Sequence, residues 1–579
     1  MLVRSLTLAA AALASVALAP RPAAACGGFF CSQIPVDQSG EQILFGMGND
    51  GTIEAHIMIS YSGEASDFAW LLPVASTPEI ALGTQAAFTT VGYLTQPTWY
   101  LDWQNQANQC NWWYLQPTFE DDEATGGGAP GGVTVVAQKD VGPFETVVLD
   151  SGSTDALVKW LDDHDYAQPP AARPLLDHYV RQGMEFVAVR LKKDEPTGAI
   201  QPIVLKFREA NPCVPLVLTQ IAATPDMPVQ LFLFGEHRVV PTNWLHVVVN
   251  EKKIDWINNG ANYKDLVTQA VDEAAGHGFV TEYAGSAALT ADSVYREGRF
   301  DLAKLSAIHD PAAFVAELLS QGFPRDAAMQ SLLRTHIPMP QAVKDRGVSE
   351  QQFYNDLASY AADLAAAGFV FDAQAFVDDL EERVVVPLQR AQALFDGHPY
   401  LTRLFTTVSS DEMDRDPVFA ANADLADVSN QHRATADAVC KDDGDQMPDE
   451  VQITLESGET FVVTGPFQQT YPVTYPDPAP DEPAAARIEL IGKAGQGTVV
   501  AATLAEAVDT ALDTQTPESV LADLADGTLS PPVIPPVQTK ADSSGCQGGP
   551  EDAAPGVLAS LALAFVILRR VRRGSALSA

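Results

Sequence analysis

Apolar and polar positions alternate along much of the first half of this chain. Ile53, Ala55, Ile57, Ile59 and Tyr61 fall between Thr52, Glu54, His56 and Ser60, with Met58 as the one break. A period of two puts each set on one face, which predicts a half-buried strand. The segments 68–74, 145–149, 186–191, 203–207, 230–234 and 246–249 read the same way. Two short helices are predicted among them. One covers 154–163 behind Ser153, whose hydroxyl suits an N-cap, and the other covers 174–181 and stops at Gly183. Strands with scattered short helices predict an α+β domain over 26–260.

From about residue 261 the period changes to that of a helix. Tyr263, Leu266, Val267, Ala270, Val271 and Ala274 recur at helical spacing. Asp310-Pro311 supplies an N-cap and a proline at the first helical position. Ser349 with Gln352 forms a capping-box pair ahead of Phe353, Leu357 and Tyr360. The pattern runs on over 372–394, where Pro387 is expected to break or kink the helix. Residues 261–440 are thus predicted as a mainly helical region, and such apolar stripes are expected to be core. Beyond it, 451–455 and 460–464 flank Ser457-Gly458 as a hairpin, a small β element within 441–512. Pro472, Pro476, Pro478, Pro480 and Pro483, and later Pro531, Pro532, Pro535 and Pro536, predict extended linkers. Residues 513–552 read as a disordered linker.

The two ends carry address signals. Arg4, the apolar run Leu6 to Leu18 and Ala23-Ala24-Ala25 have the layout of a secretory signal peptide over residues 1–25. Cleavage after Ala25 would expose Cys26. A lipoprotein signal has a large aliphatic residue three places before its cysteine and Ala23 stands there, so an ordinary export signal is expected. At the other end, Val557 to Leu568 is apolar apart from Ser560, and Arg569, Arg570, Arg572 and Arg573 follow. Residues 553–573 are therefore expected to anchor the chain in a membrane, the arginine cluster staying cytoplasmic before any processing. The pattern of Cys546, a brief apolar run and terminal arginines resembles the C-terminal sorting tails of myxobacterial surface proteins. That resemblance implies cleavage and lipid attachment at Cys546. Both readings place the body in the cell envelope or at the cell surface.

Composition narrows the partners. With 75 acidic against 35 basic residues and a net charge of −40, nucleic acid is excluded, since phosphate contacts need clustered Lys and Arg. Six cysteines in 579 residues are too few for a disulfide framework, so the fold must rest on apolar cores. Cys26 with Cys31 is the expected local bridge, and Cys110 with Cys213 a candidate long-range one.

Several motifs in fixed order resemble one family. Cys26-Gly27-Gly28-Phe29-Phe30-Cys31 follows the leader directly, and Phe68-Ala69-Trp70-Leu71-Leu72-Pro73-Val74 comes next. Then come Val141-Gly142-Pro143-Phe144-Glu145, Leu157 to Leu161, Gln201-Pro202-Ile203 and Leu218-Thr219-Gln220-Ile221. Over 26–283 the chain resembles the domain-of-unknown-function 2330 family of exported bacterial proteins. The stretch from His398 to Asn430 is similar to an extension found in long members. The resemblance implies export and a shared fold, and it carries no catalytic residue, cofactor or metal.

Candidate chemistry is sparse. There is no nucleophile elbow, HExxH, CxxC, P-loop or dinucleotide fingerprint. The glycine-rich stretch 126–132 lacks the Gly-Lys-Ser/Thr ending that cradles phosphate. His164 and His178 lie among Asp162, Asp163, Asp165 and Asp177, where solvated helix ends are expected ahead of a metal site. Asp411, Glu412, Asp414 and Asp416, and separately Asp442 to Glu450, are oxygen-rich without following the twelve-residue calcium loop. Trp99, Trp103, Trp112 and Trp113 gather with Tyr100 and Tyr114 around Cys110. Two readings stay open for them: a satellite core, favoured because paired tryptophans are usually buried, or a surface that stacks on a glycan or a protein partner. The expected function is non-enzymatic binding or scaffolding at the cell surface. The alternative is an exported hydrolase using His246 and nearby Asp255.

Overall fold

The structure is a computed structural model that describes residues 37–62, 69–104, 134–164, 166, 171–192, 201–209, 211–439, 448–468 and 472–501. The expected signal peptide, the 513–552 linker and the 553–573 segment lie outside the described residues. Among the described residues no helix is long and apolar enough to cross a membrane.

The chain is built around a ten-stranded mixed sheet. Its strands, with the labels used below, are β1 (Asp37–Met47), β2 (Thr52–Ser62), β4 (Glu79–Leu82), β9 (Ile203–Arg208), β10 (Met227–Gly235), β12 (Leu245–Val249), β13 (Gly278–Ser286), β14 (Tyr400–Val408), β19 (Ala485–Leu490) and β20 (Thr498–Ala501). Across the sheet they run β20-β19-β12-β13-β14-β10-β1-β2-β9-β4. A second sheet has the order β3-β8-β7-β6, from Ala69–Val74, Glu185–Leu191, Phe144–Asp150 and Thr134–Val141. A third has the order β18-β17-β16-β5, from Thr460–Thr464, Glu450–Leu455, Gln431–Val439 and Thr98–Trp103. The short strands β11 (Val239–Pro241) and β15 (Phe419–Ala421) pair with each other.

Layers follow from which side chains each strand face presents. Ile43, Phe45, Ile57, Leu205, Val229 and Leu231 pack one face of the large sheet against Trp70, Leu72, Val148, Val187 and Val189 of the second sheet. The outer face of that second sheet carries Leu71, Phe186 and Ala188, covered by the helices Thr154–Asp163 and Ala172–Arg181. On the opposite face of the large sheet, Leu44, Phe232 and Phe234 meet Phe88 and the helical stretch 302–396. Strand β2 is therefore covered on both sides: Met58, the break in its alternation, packs on the helical layer, and His56 is fully buried. At the far end, Leu245, Val247, Val280 and Ile488 share a core with the helix Tyr263–Glu273 and the third sheet.

The helix termini form where the sequence places them. Ser153 accepts from the N–H of Ala156, and Asp310 accepts from Ala313 with proline at the first turn. Ser349 and Gln352 form both halves of the capping box. Three features go beyond expectation or against it. The interruption expected at Pro387 takes the form of a π-turn at Glu381–Val385, which joins Ala373–Leu380 to Val386–Asp396, so the helix is interrupted without being ended. Proline has no N–H for the carbonyl four residues back, and Gln201 Nε2 donates to that Arg383 carbonyl at 2.9 Å instead. The Pro-rich stretch from 472 to 484 is packed and not a free spacer: Asn258 Nδ2 donates to the Val473 carbonyl, Lys253 Nζ to the Ala479 carbonyl, and Asn250 Nδ2 to the Pro483 carbonyl. Finally, the region predicted as mainly helical also contributes β13, β14 and β16.

Candidate functional site

Strand pairing at the β19 end of the large sheet brings distant polar residues together. In the antiparallel β12–β19 register His246 faces Glu489 directly. In the parallel β12–β13 register His246 faces Phe279, so Thr281, two residues on, lies on the same strand face. His246 Nδ1 lies 3.1 Å from Glu489 Oε2, and its Nε2 lies 2.9 Å from Thr281 Oγ1. Arg238, just ahead of β11, donates from Nη2 to Thr281 Oγ1 at 3.1 Å and from Nη1 to the Ala426 carbonyl at 3.0 Å. Arg487 Nε donates to the other Glu489 oxygen at 2.6 Å.

These residues line a cavity of about 310 Å³. The rest of its lining includes Val247, Val249, Val280, Leu425, Ala426 and Ile491, and an aromatic wall of Trp99, Tyr263 and His432. The aromatic wall is also set by register. Trp99 on β5 faces His432 on β16, and the rings stack with centroids 4.0 Å apart. Trp256 meets Trp99 edge-on at 5.1 Å. Gly260, at φ +79, lies so close that a Cβ there would overlap the Trp99 ring.

Burial sets the protonation states. It pushes the His246 pKa down, outweighing the pull of Glu489, and Arg238 adds to the lowering. The imidazole is therefore neutral near pH 7. Burial pushes the Glu489 carboxyl up, but the bond to His246 and Arg487 more than offset this, leaving it below the usual range. Glu282 forms a buried ion pair with Arg403, and Glu251 pairs with His432 at 2.9 Å.

The sequence-derived candidates are dispersed. Trp99 is 6% exposed and belongs to the core around β12, so it shapes the cavity wall as a packed residue. Trp103 is half-buried against the same core. Trp112 and Trp113 lie outside the described residues, as do Cys26, Cys31, Cys110 and Cys546. Cys213 is disulfide-bonded, and the other cysteines fall outside the described residues. Asp255 is not the partner of His246. It caps the turn at Asn258 and accepts from the Tyr475 hydroxyl, while Glu489 takes the imidazole. His164 stacks on Trp160 and His178 contacts Gln182. Asp414 pairs with His277 and Asp416 is buried against Tyr179, so that acidic cluster points apart. No group of three or more His, Cys, Asp or Glu is placed to hold a metal ion among the described residues.

Sequence reasoning missed Arg238, Thr281, Glu282, His432 and Glu489. Two signals were present: an arginine inside the run Val229 to Val240 of otherwise mostly apolar positions, and Glu489 between Ile488 and Leu490.

Neither a curated protein nor a solved structure matches the chain. A family model described as an uncharacterized protein conserved in bacteria matches residues 20–330, more than half of the 579 residues. That span holds Trp99, Arg238, His246 and Thr281, while His432 and Glu489 lie beyond it. The chain belongs to this bacterial family, DUF2330.

Proposed function

We propose that this is an exported envelope protein, held at the membrane by its C-terminal segment, whose folded body binds a small ligand without turning it over. The address rests on the leader pattern over 1–25 and on the apolar run with its arginine cluster at 553–573. The binding reading is carried by one observation: a cavity of about 310 Å³ with apolar and aromatic walls and a few convergent polar groups, the usual composition of a small-molecule site. Native mass spectrometry of the protein recovered from its own cell envelope tests both parts. The expected result is a chain starting after residue 25 with a small co-purifying mass. Recovery from the cytosol with Met1 retained overturns the export part, and a bare protein that takes up no compound from a panel of small molecules overturns the binding part.

A second reading, an exported hydrolase, is favoured by the chain Thr281–His246–Glu489, which has the contacts of a nucleophile, base and orienting carboxylate. Weighing against it, Thr281 is 8% exposed and its oxygen already accepts from Arg238. Hydrolysis of a short-chain ester panel that disappears in Thr281→Ala would reverse the preference.

A further inference from the structure

The ligand-binding reading can be taken one step further through the charges lining the cavity. Each lining carboxylate has a partner. Glu251 pairs with His432, Glu282 with Arg403, and Glu489 with both His246 and Arg487. Arg238 differs. It is 8% exposed, yet among the described residues no carboxylate lies within 4.0 Å of it. Its donors go to neutral acceptors, the Ala426 carbonyl and the Thr281 hydroxyl, with His246 Nε2 at 3.4 Å. Its Nε, fully buried, has no acceptor among the described residues. Glu489 and Asp427 act on it only at longer range.

A buried cation held by neutral groups alone is costly, because dipoles replace its hydration only in part. An arginine of this kind is suited to an anion from the cavity, since a guanidinium offers paired N–H donors matching a carboxylate fork. The surroundings narrow the anion further. One unpaired positive charge balances one negative charge, and a dianion would also meet Glu251, Glu282 and Glu489 around the same space. The apolar walls Val249, Val280, Leu425 and Ile491 leave room that a bare inorganic ion would not fill. We infer that the cavity binds a small organic monocarboxylate, its carboxylate on Arg238 and its apolar body against these walls. This rests on the ligand-binding reading proposed above.

The test compares 3-phenylpropanoate with its neutral amide, 3-phenylpropanamide, and with inorganic phosphate, by isothermal titration of the mature chain. The acid should bind at least about tenfold more tightly than the amide, the scale of one charge-assisted contact. Arg238→Met should abolish that preference while leaving weak binding of both compounds. Arg238→Lys, which keeps the charge without the fork, should retain part of it, and thermal melts of both variants report folding. The wild-type comparison decides the matter even if neither variant folds. Equal binding of acid and amide overturns the carboxylate assignment and leaves the ligand pocket standing. Tighter binding of phosphate than of the acid also overturns it. Binding of none of the three overturns the carboxylate assignment and counts against the ligand pocket as well.

Discussion

At the scale of single residues, two positions show how strongly this interior constrains its side chains. Gly260 holds a left-handed backbone at φ +79 directly under the Trp99 ring. Gly260→Ala meets both the backbone strain of a side chain at positive φ and an overlap with Trp99. It should cost roughly 3 kcal/mol, read as a lower denaturation midpoint, and it should shift Trp fluorescence because the cavity wall moves. The same change with unaltered stability would show that Trp99 is not packed as described. Glu41 presents an electrostatic case. Burial pushes its carboxyl up to about 7, more than the bond from Gln38 pulls it down. Between the ordinary carboxyl value and about pH 7 the unfolded chain releases this proton while the folded chain keeps it. Stability from this group is therefore fully present below pH 4.5 and falls as pH rises towards 7, by on the order of 3 kcal/mol. Asp416, pushed up to about 7 by burial against bonds from Val217 and Tyr179, acts in the same direction. Glu41→Gln removes the titration and lets an amide donate to Gln38 Oε1, which has no partner among the described residues. Melting temperatures between pH 5 and 8 should fall less steeply in this variant than in the wild type, and equal slopes would refute the account.

At the scale of elements, the helix 373–396 shows why local rules needed a tertiary partner. The sequence rule for Pro387 is sound: its missing N–H leaves the Arg383 carbonyl without a helical donor. The rule does not say that Gln201, 182 positions earlier, fills the place. A π-turn absorbs the ring, and the helix goes on. Gln201 also approaches the Arg383 side chain, whose Nη2 donates to Ser331. Gln201→Leu removes the donor from a buried carbonyl and should cost about 2 kcal/mol, seen as a reduced urea midpoint with an unchanged m-value. A cost near zero would mean that water or another group takes over.

At the scale of the whole molecule, the chain closes on itself across long separations. Strand β14 (400–408) lies between β13 and β10 in the large sheet, and β5 pairs with β16 more than 300 residues later. The family-matched span ends at residue 330, so a chain cut there lacks the strand that joins β13 to β10. Such a fragment should fail to give a cooperative thermal transition and should show no fixed near-UV aromatic signal; a cooperatively melting fragment would disprove the dependence. The periods of two and 3.6 and the caps at Ser153, Asp310 and Ser349 were legible because each depends on neighbours within one turn or strand. The address signals are legible in the same local way and stand as part of the proposal. Strand β13 was not legible. Its sequence, Gly278 to Ser286, mixes small, polar and aromatic residues, and only its place between β12 and β14 buries it. The cavity was hidden for the same reason. Arg238, His246, Thr281 and Glu489 have no sequence spacing in common; the registers of β12 with β13 and β19 align His246, Thr281 and Glu489, and the chain ahead of β11 brings Arg238 to them. Local pattern thus determined many of the strands and helices, though not β13, β14 or β16. Long-range pairing, which no local pattern encodes, decided which of their polar residues meet.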